Sequence, residues 1–253
     1  MQDLFTLKGK VALVTGAAQG IGRELAIGFA AYGADIVAVD LNQEKLQEVQ
    51  QEVEAQDKRC LPLKVNLGNI SEIEAMTEAA VGEYGRIDIL ANIAGVNVHK
   101  PAEEMTEQDW DFVQDINLKA LFFCCQSVGK VMLKQGSGRI INMSSTFGIV
   151  GFGCRTAYAS SKAGVSNLTK TLAIEWSARG INVNAIAPGP VWTPARDALF
   201  SNPEFYNHLL EKLLIKRTAK PVDILGPAVF LASEASAFVT GATVLVDGGF
   251  CAQ

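Results

Sequence analysis

The chain has 253 residues and a hydrophobic content of 49%, enough for a large core in one or two domains. A formal net charge of −5 without a basic cluster argues against nucleic acid or an anionic membrane as the main partner. No apolar stretch approaches the roughly 20 residues that span a bilayer. Residues Met1–Lys10 lack a signal-peptide core, so a cytoplasmic protein is expected. Five cysteines (Cys60, Cys124, Cys125, Cys154 and Cys251) form no C-x-x-C pair, and only His99 and His208 could join a metal site. Free, buried thiols and no metal are expected.

The first apolar run, Val11–Thr15, reads as a buried strand. It leads into Thr15-Gly16-Ala17-Ala18-Gln19-Gly20-Ile21-Gly22 and an amphipathic stretch, Ile21–Tyr32. Glycines at a strand-to-helix turn permit positive φ and close approach of backbone to a ligand. The helix N-terminus adds unpaired N–H groups and a positive dipole, which suit a pyrophosphate. The spacing is G-x-x-x-G-x-G. A second strand, Asp35–Val39, ends at Asp40. A carboxylate about 20 residues beyond the glycines is where a ribose-binding acid belongs.

Strand and helix patterns then alternate. A helix is expected over Gln43–Gln56 and a strand over Cys60–Val65, which leads to Asn66 and Leu67. The helix Ser71–Tyr84 opens on a capping-box pattern, Ser71-Glu72-Ile73-Glu74. A strand Ile87–Asn92 precedes one long helix, Thr106–Lys134. Then come strand Arg139–Met143, helix Thr156–Arg179 and strand Asn182–Ala187. After Pro188-Gly189-Pro190 the chain makes a long excursion to about Arg217, and helix Val222–Ser233 and strand Thr243–Val246 finish it. The strands lack strict polar alternation, as expected when both faces are covered. Repeated βα units predict an α/β fold: a single doubly wound, Rossmann-type parallel sheet of seven strands flanked by helices. One domain over 1–253 is expected, with a lid over the substrate at about residues 190–217.

Tyr158-Ala159-Ser160-Ser161-Lys162 places a phenol and an ammonium at i and i+4, on one helix face. A nearby cation favours phenolate, which suits acid/base work. Ser145 closes the strand thirteen residues earlier, Asn117 lies inside the long helix, and Asn92-Ile93-Ala94-Gly95 closes the fourth strand. With the glycine-rich turn, Pro188-Gly189, Thr240-Gly241 and Val246-Asp247-Gly248-Gly249, the chain resembles the short-chain dehydrogenase/reductase family over nearly its whole length.

That resemblance implies a catalytic tetrad of Asn117, Ser145, Tyr158 and Lys162. Tyr158 would exchange the proton with the substrate oxygen, and Ser145 would hydrogen-bond the same oxygen. Lys162 would tune Tyr158 and hold the nicotinamide ribose. Asn117 would hold a water that links Lys162 to solvent. Ser144 is expected to cap the strand end. The cofactor would lie along Gly16, Gln19, Gly20, Ile21, Gly22, Asp40, Leu41, Asn66, Leu67, Asn92, Gly95, Tyr158, Lys162, Pro188, Gly189, Val191 and Thr193. Asp40 accepts from ribose hydroxyls and repels a 2′-phosphate, and Ala17, Ala18, Gln19, Leu41 and Asn42 supply no cation, so NAD is expected. Asn66 stands where the family usually has Asp facing the adenine, and Ile93 replaces an Asn.

The substrate pocket is expected between Ser145 and Tyr158 and the segments Val96–Glu103, Thr146–Arg155 and Trp192–Leu214. His99, Arg155 and Trp192 are its candidate contacts, with Lys100 and Arg196 as further cations. His99-Lys100-Pro101, Leu225-Gly226-Pro227 and the tail after Gly249 are similar to sugar-acid members of the family, the gluconate 5-dehydrogenases among them. The expected activity is hydride transfer between NAD(H) and a secondary alcohol or ketone of a small sugar acid or polyol. A 3-oxoacyl-carrier reductase is the alternative, normally NADPH-dependent, which Asp40 opposes. A non-catalytic nucleotide-binding regulator would show a damaged tetrad. The middle helices carry surplus apolar surface, and relatives imply a homotetramer.

Overall fold

The computed structural model describes residues 3–252. Seven strands, β1 (Val11–Thr15), β2 (Asp35–Asp40), β3 (Cys60–Lys64), β4 (Ile89–Asn92), β5 (Gly138–Met143), β6 (Ile181–Pro188) and β7 (Thr243–Val246), form one sheet. All pairs are parallel, in the order β3-β2-β1-β4-β5-β6-β7. Pro62, which lacks an N–H, falls on the edge strand β3, where the ladder tolerates it.

Successive side chains of a strand point to opposite faces, so each strand feeds two cores. Ala12, Val14, Ile36 and Ala38 pack under α1 (Gly20–Ala31), α2 (Gln43–Glu54) and α9 (Val222–Ala232, the last helix). Leu13, Val37 and Val39 pack under α3 (Ile70–Tyr84), α5 (Leu121–Gln135) and α6 (Thr156–Trp176). Strand order reverses between β1 and β4. A crevice opens at the carboxyl ends there, and it is where doubly wound sheets bind ligands.

Three expectations need correction. The helix expected over Thr106–Lys134 is α4 (Glu107–Gln114), a π turn (Asp115–Ala120) and α5. The wider turn inserts one residue per hydrogen-bonded ring and sits around Asn117. The whole run, Glu107–Gln135, is long and apolar enough by composition to cross a bilayer, contrary to the sequence reading. Here Leu121, Cys124, Cys125, Val128 and Met132 spend that apolarity on the core. The capping box expected at Ser71 is absent. Asn69 caps α3 instead, its Oδ1 accepting from the Ser71 N–H at 3.1 Å, while Glu72 accepts from the Asn66 N–H at 2.7 Å. A capping box does form at Thr106 and Asp109, ahead of α4.

The excursion after β6 is structured. It holds a 3-10 turn (Pro194–Arg196), α7 (Asp197–Phe200) and α8 (Pro203–Glu211). Its base is closed by Trp192 N–H to Ala219 O (2.8 Å) and Ala219 N–H to Pro190 O (2.9 Å). Its far end hangs on the C-terminal turn through Ile215 N–H to Gly248 O, 2.9 Å. Cys60, Cys124 and Cys125 are buried and free, but Cys154 and Cys251 are only partly buried.

Candidate active site

At the switch point, Thr15 Oγ1 accepts from the Ile93 and Ala94 N–H groups at 3.0 and 3.2 Å, tying the ends of β1 and β4 together. Gly16 adopts φ +70°, and a Cβ there would meet Ala94 Cα at 2.9 Å. A Cβ on Gly22 would lie 2.1 Å from Gly16 O, so α1 can approach the turn only because this residue is glycine. Gln19 precedes α1 in an extended conformation, and no side chain caps the helix. The first N–H groups of α1 therefore stay open for an anion. Thr193 of the excursion after β6 packs over Gly20, 3.3 Å from an ideal Cβ.

Asp40 closes the other side. Its carboxylate accepts from Ala18 N–H at 3.2 Å and Asn42 N–H at 3.1 Å. A carboxylate has about four acceptor positions, so two remain for ribose hydroxyls. Leu41 is exposed beside it, and Leu67 turns partly into the core under α3 and α5. Asn66 Oδ1, the acceptor the sequence offers to adenine, accepts from Gly68 N–H at 3.0 Å. Val191 is buried and bridges to Ala219, and Gly189 N–H donates to Val246 O at 3.0 Å. Pro188 ends β6. The sequence reading counts no cation here. In the fold Lys45, one turn into α2, reaches Gln19 Oε1 at 3.4 Å and brings an ammonium to the same rim.

Among the expected tetrad positions, Tyr158, Lys162 and Asn117 come together around Gly95, and Ser145 follows the strand end that anchors Lys162. Lys162 is fully buried, donates to Met143 O at 2.7 Å, and its Nζ lies 5.7 Å from the Tyr158 ring centroid. Burial pushes its ammonium below the usual lysine range, and the Tyr158 oxygen opposes that shift. Ser145 begins the 3-10 turn Thr146–Gly148, its Oγ accepting from Phe147 N–H at 3.2 Å. Ser144 does not cap the strand. Its hydroxyl donates to Lys162 O (3.0 Å) and meets Ser166 Oγ (2.8 Å), fastening β5 to α6. Asn117 is fully buried. Its Oδ1 accepts from Val96 N–H at 2.8 Å, and its Nδ2 donates to Val96 O (2.9 Å) and Ser161 Oγ (3.1 Å). The amide oxygen and one amide donor thus clamp Val96 in the loop after β4 while the second donor ties it to α6, and a Cβ on Gly95 would sit 3.2 Å from Asn117 Oδ1 and 3.5 Å from Lys162 Nζ. Below, Asn92 Nδ2 donates to Asn142 Oδ1 at 3.0 Å, and Asn142 donates to Thr169. Asn92 Oδ1 is buried without a partner among the described residues.

Aromatic rings gather where the sequence expects the substrate. Phe147 stacks on Phe152 (centroids 4.4 Å apart), and Phe250 of the C-terminal turn meets Phe147 edge-on at 6.0 Å. Nothing local in the sequence marks Phe250 as a wall residue, since only the tertiary fold returns the tail to this site. Trp192 lies in the excursion's own cluster, 5.5 Å from both Phe200 and Tyr206, with its indole N–H on Asp197. Lys100 is held by Asp109 at 2.6 Å. Arg155 opens α6 one turn before Tyr158. Burial and then the Arg196 charge push its guanidinium below the usual arginine value. Burial and then Arg155 likewise lower His99, so the imidazole is neutral at pH 7.

A glycine-rich cradle, an acid at the second strand end and a tyrosine over a buried lysine meet known proteins with the same order of parts. The family model described as enoyl-(acyl carrier protein) reductase matches residues 16–251. The chain belongs to the short-chain dehydrogenase/reductase family. It is 42% identical to the 2-dehydro-3-deoxy-D-gluconate 5-dehydrogenase of Dickeya dadantii, over 99% of both chains. It is also 42% identical to the D-threitol dehydrogenase of Mycolicibacterium smegmatis, over 97% of this chain and 94% of that one. The 3-oxoacyl-(acyl-carrier-protein) reductase of Thermotoga maritima shares 41% identity over 96% and 98%. Among solved structures, a gluconate 5-dehydrogenase from Burkholderia cenocepacia, in complex with NADP and tartrate, superposes with a TM-score of 0.95. It shares 33% identity over 99% of this chain and 98% of that one. As a short-chain dehydrogenase/reductase the chain is an oxidoreductase of CH–OH groups, dependent on a nicotinamide dinucleotide, NAD(P).

Proposed function

We propose that this short-chain dehydrogenase/reductase oxidises a secondary alcohol of a small polar substrate, a sugar acid or polyol, with NAD as the preferred cofactor. The observation that carries the chemistry is the buried Lys162, its Nζ 5.7 Å from the Tyr158 ring centroid and bonded to Met143 O, two residues before Ser145. NAD bound there supplies the hydride acceptor. Tyr158 takes the hydroxyl proton of the alcohol through its phenol oxygen, and Ser145 Oγ donates to the same substrate oxygen as charge develops on it. Lys162, desolvated and anchored on Met143 O, holds positive charge under the phenolate. Asn117 fixes the loop that carries Gly95 against Lys162. The lid segment, tied at both ends, closes over the aromatic wall of Phe147, Phe152 and Phe250.

The preference for NAD rests on Asp40, whose carboxylate is aimed at the cradle by two backbone N–H groups. Lys45 works against it by offering a counter-charge to a 2′-phosphate, so discrimination is a ratio rather than an exclusion. The assembly we favour is a cytoplasmic homotetramer. An open groove between the π turn, α5 and α6, lined by Leu118, Phe122, Gly164 and Leu168, supports pairing through that face.

The test is a screen of NAD reduction by absorbance over sugar acids, polyols and simple secondary alcohols, with NADP in parallel. Turnover of a sugar acid or polyol, faster with NAD, is the expected result. Silence there, with reduction of 3-oxoacyl thioesters by NADPH, would overturn both the substrate and the cofactor reading. Light scattering on the eluting protein gives the assembly, and a monomer would refute the tetramer.

A further inference from the structure

The cations that border the substrate side differ in how they are neutralised. Lys100 is paired with Asp109, and Arg217, at the end of the lid, is paired with Asp223 at 2.6 Å. Asp197, next in sequence to Arg196, spends an oxygen on the Trp192 indole. Among the described residues no carboxylate pairs with Arg155 or Arg196. Arg155 is half-buried, and its Nε is fully enclosed with no hydrogen-bond partner. A guanidinium is acceptor-free and always charged, so an enclosed N–H on it lacks both a lone pair and a counter-charge. Leaving such a group unmatched is costly unless something else supplies the anion.

Position shows what that anion must be part of. Arg155 is the N-cap of α6, three residues before Tyr158, and the Tyr158 oxygen acts on its charge. Arg196 stands in the lid's first 3-10 turn, and its charge is felt at Arg155, which itself is felt at His99. Two like charges thus lie near one another, one at the start of α6 and one in the excursion after β6.

We propose that Arg155, with Arg196 of the lid, is the receptor for a carboxylate carried by the substrate, so that this enzyme acts on hydroxy acids in preference to neutral polyols. This rests on the dehydrogenase reading above and narrows it. The planar fork of Arg155 grips two oxygens of one carboxylate, with the enclosed Nε as one of its donors. The same anion removes the repulsion between Arg155 and Arg196 and draws the lid turn down. The neutral His99 at the rim is left to exchange hydrogen bonds with hydroxyl groups. The arginine pair is a specificity device; the proton still moves at Tyr158.

Two measurements decide it. The first titrates D-gluconate and D-glucitol into the wild-type enzyme–NADH complex by calorimetry, at low and high salt. Gluconate should bind at least about tenfold more tightly than glucitol, as a charge-assisted pair gives, and should lose that margin in high salt. The second repeats the titration with Arg155→Gln and Arg155→Lys. The glutamine variant should weaken gluconate about 10- to 100-fold, and the lysine variant less, because it keeps the charge but loses the fork. Equal binding of the two ligands by the wild type, no detectable binding of gluconate, or full gluconate affinity in Arg155→Gln would overturn the proposal. If the glutamine variant does not fold, the wild-type comparison, its salt dependence and the lysine variant still support or overturn it. If no sugar acid or polyol is turned over while gluconate binds through Arg155, the dehydrogenase substrate reading fails and the carboxylate receptor stands.

Discussion

Asn117→Ala should loosen the site from beneath. The side chain makes three hydrogen bonds, to Val96 N–H, Val96 O and Ser161 Oγ, at 2.8–3.1 Å, and is 0% exposed. Truncation leaves those three partners polar and without their amide. At about 1 kcal/mol per bond the loss is about 3 kcal/mol. For a chain of this length each kcal/mol lowers the melting temperature by about 2–4 °C, which gives roughly 6–12 °C. The loop that relaxes carries Gly95 past Lys162, so kcat/KM should fall about 100-fold through misplacement of the cofactor-side backbone. Asn117→Asp keeps the acceptor for Val96 N–H but loses both donors, and should fall between the two. Differential scanning fluorimetry and steady-state kinetics read both effects. An alanine variant that melts with the wild type and turns over normally would refute the clamp and return Asn117 to a mere occupant of the π turn.

Tyr158→Phe should cut kcat by about 10²–10⁴-fold, while NADH fluorescence titration gives near wild-type affinity; retention of more than a few percent turnover would count against the proton role. Asp40→Ala should bring the affinities for NADH and NADPH together, and Lys45→Ala should weaken NADPH selectively; unchanged ratios in both would mean that another group sets the preference. Gly22→Ala drives a Cβ into Gly16 O, 2.1 Å away, so the cradle must shift and NADH affinity should drop about tenfold, at an overpacking cost of about 1–3 kcal/mol; wild-type affinity would show that the turn gives way freely. Asp223 is held at about 2, below its ordinary 3.8, first by the Arg217 hydrogen bond. Its folded value is the lower one, so its contribution is complete above pH 3.8 and is lost as pH falls towards 2. Asp223→Asn should therefore flatten the acid limb of the unfolding curve, and an unchanged limb would assign the loss to other carboxylates.

Local chemistry is readable where a motif acts through its own backbone. The glycine turn, Asp40 at the strand end and the one-turn spacing of Tyr158 and Lys162 need only a strand, a turn and a helix, and these residues dictate all three. The seven strands are legible for the same reason, since apolar runs between helical periods leave few other partners. Signals that depend on competition between neighbours are not. Ser71 has a capping-box spacing, yet Asn69 takes the helix end because its side chain reaches the Ser71 N–H first. The continuous apolar period through Thr106–Lys134 conceals the π turn, because one added residue per turn barely alters the pattern.

What the sequence determined by itself is the kind of machine: a parallel sheet, a glycine-rich turn into the first helix, an acid at the end of the second strand, and a phenol and ammonium on one helix face. Each follows from bonds between near neighbours. The tertiary structure alone decided which charges stay unpaired. Lys100 and Arg155 are equally cationic on paper, but the fold brings Asp109 to the first and leaves the second half-buried, its Nε enclosed, with no carboxylate paired to it among the described residues. It likewise carried Lys45 to the rim of the cradle and Phe250 to the substrate wall. Charge pairing and wall contacts join residues far apart in the chain, and no local spacing encodes which of them will meet.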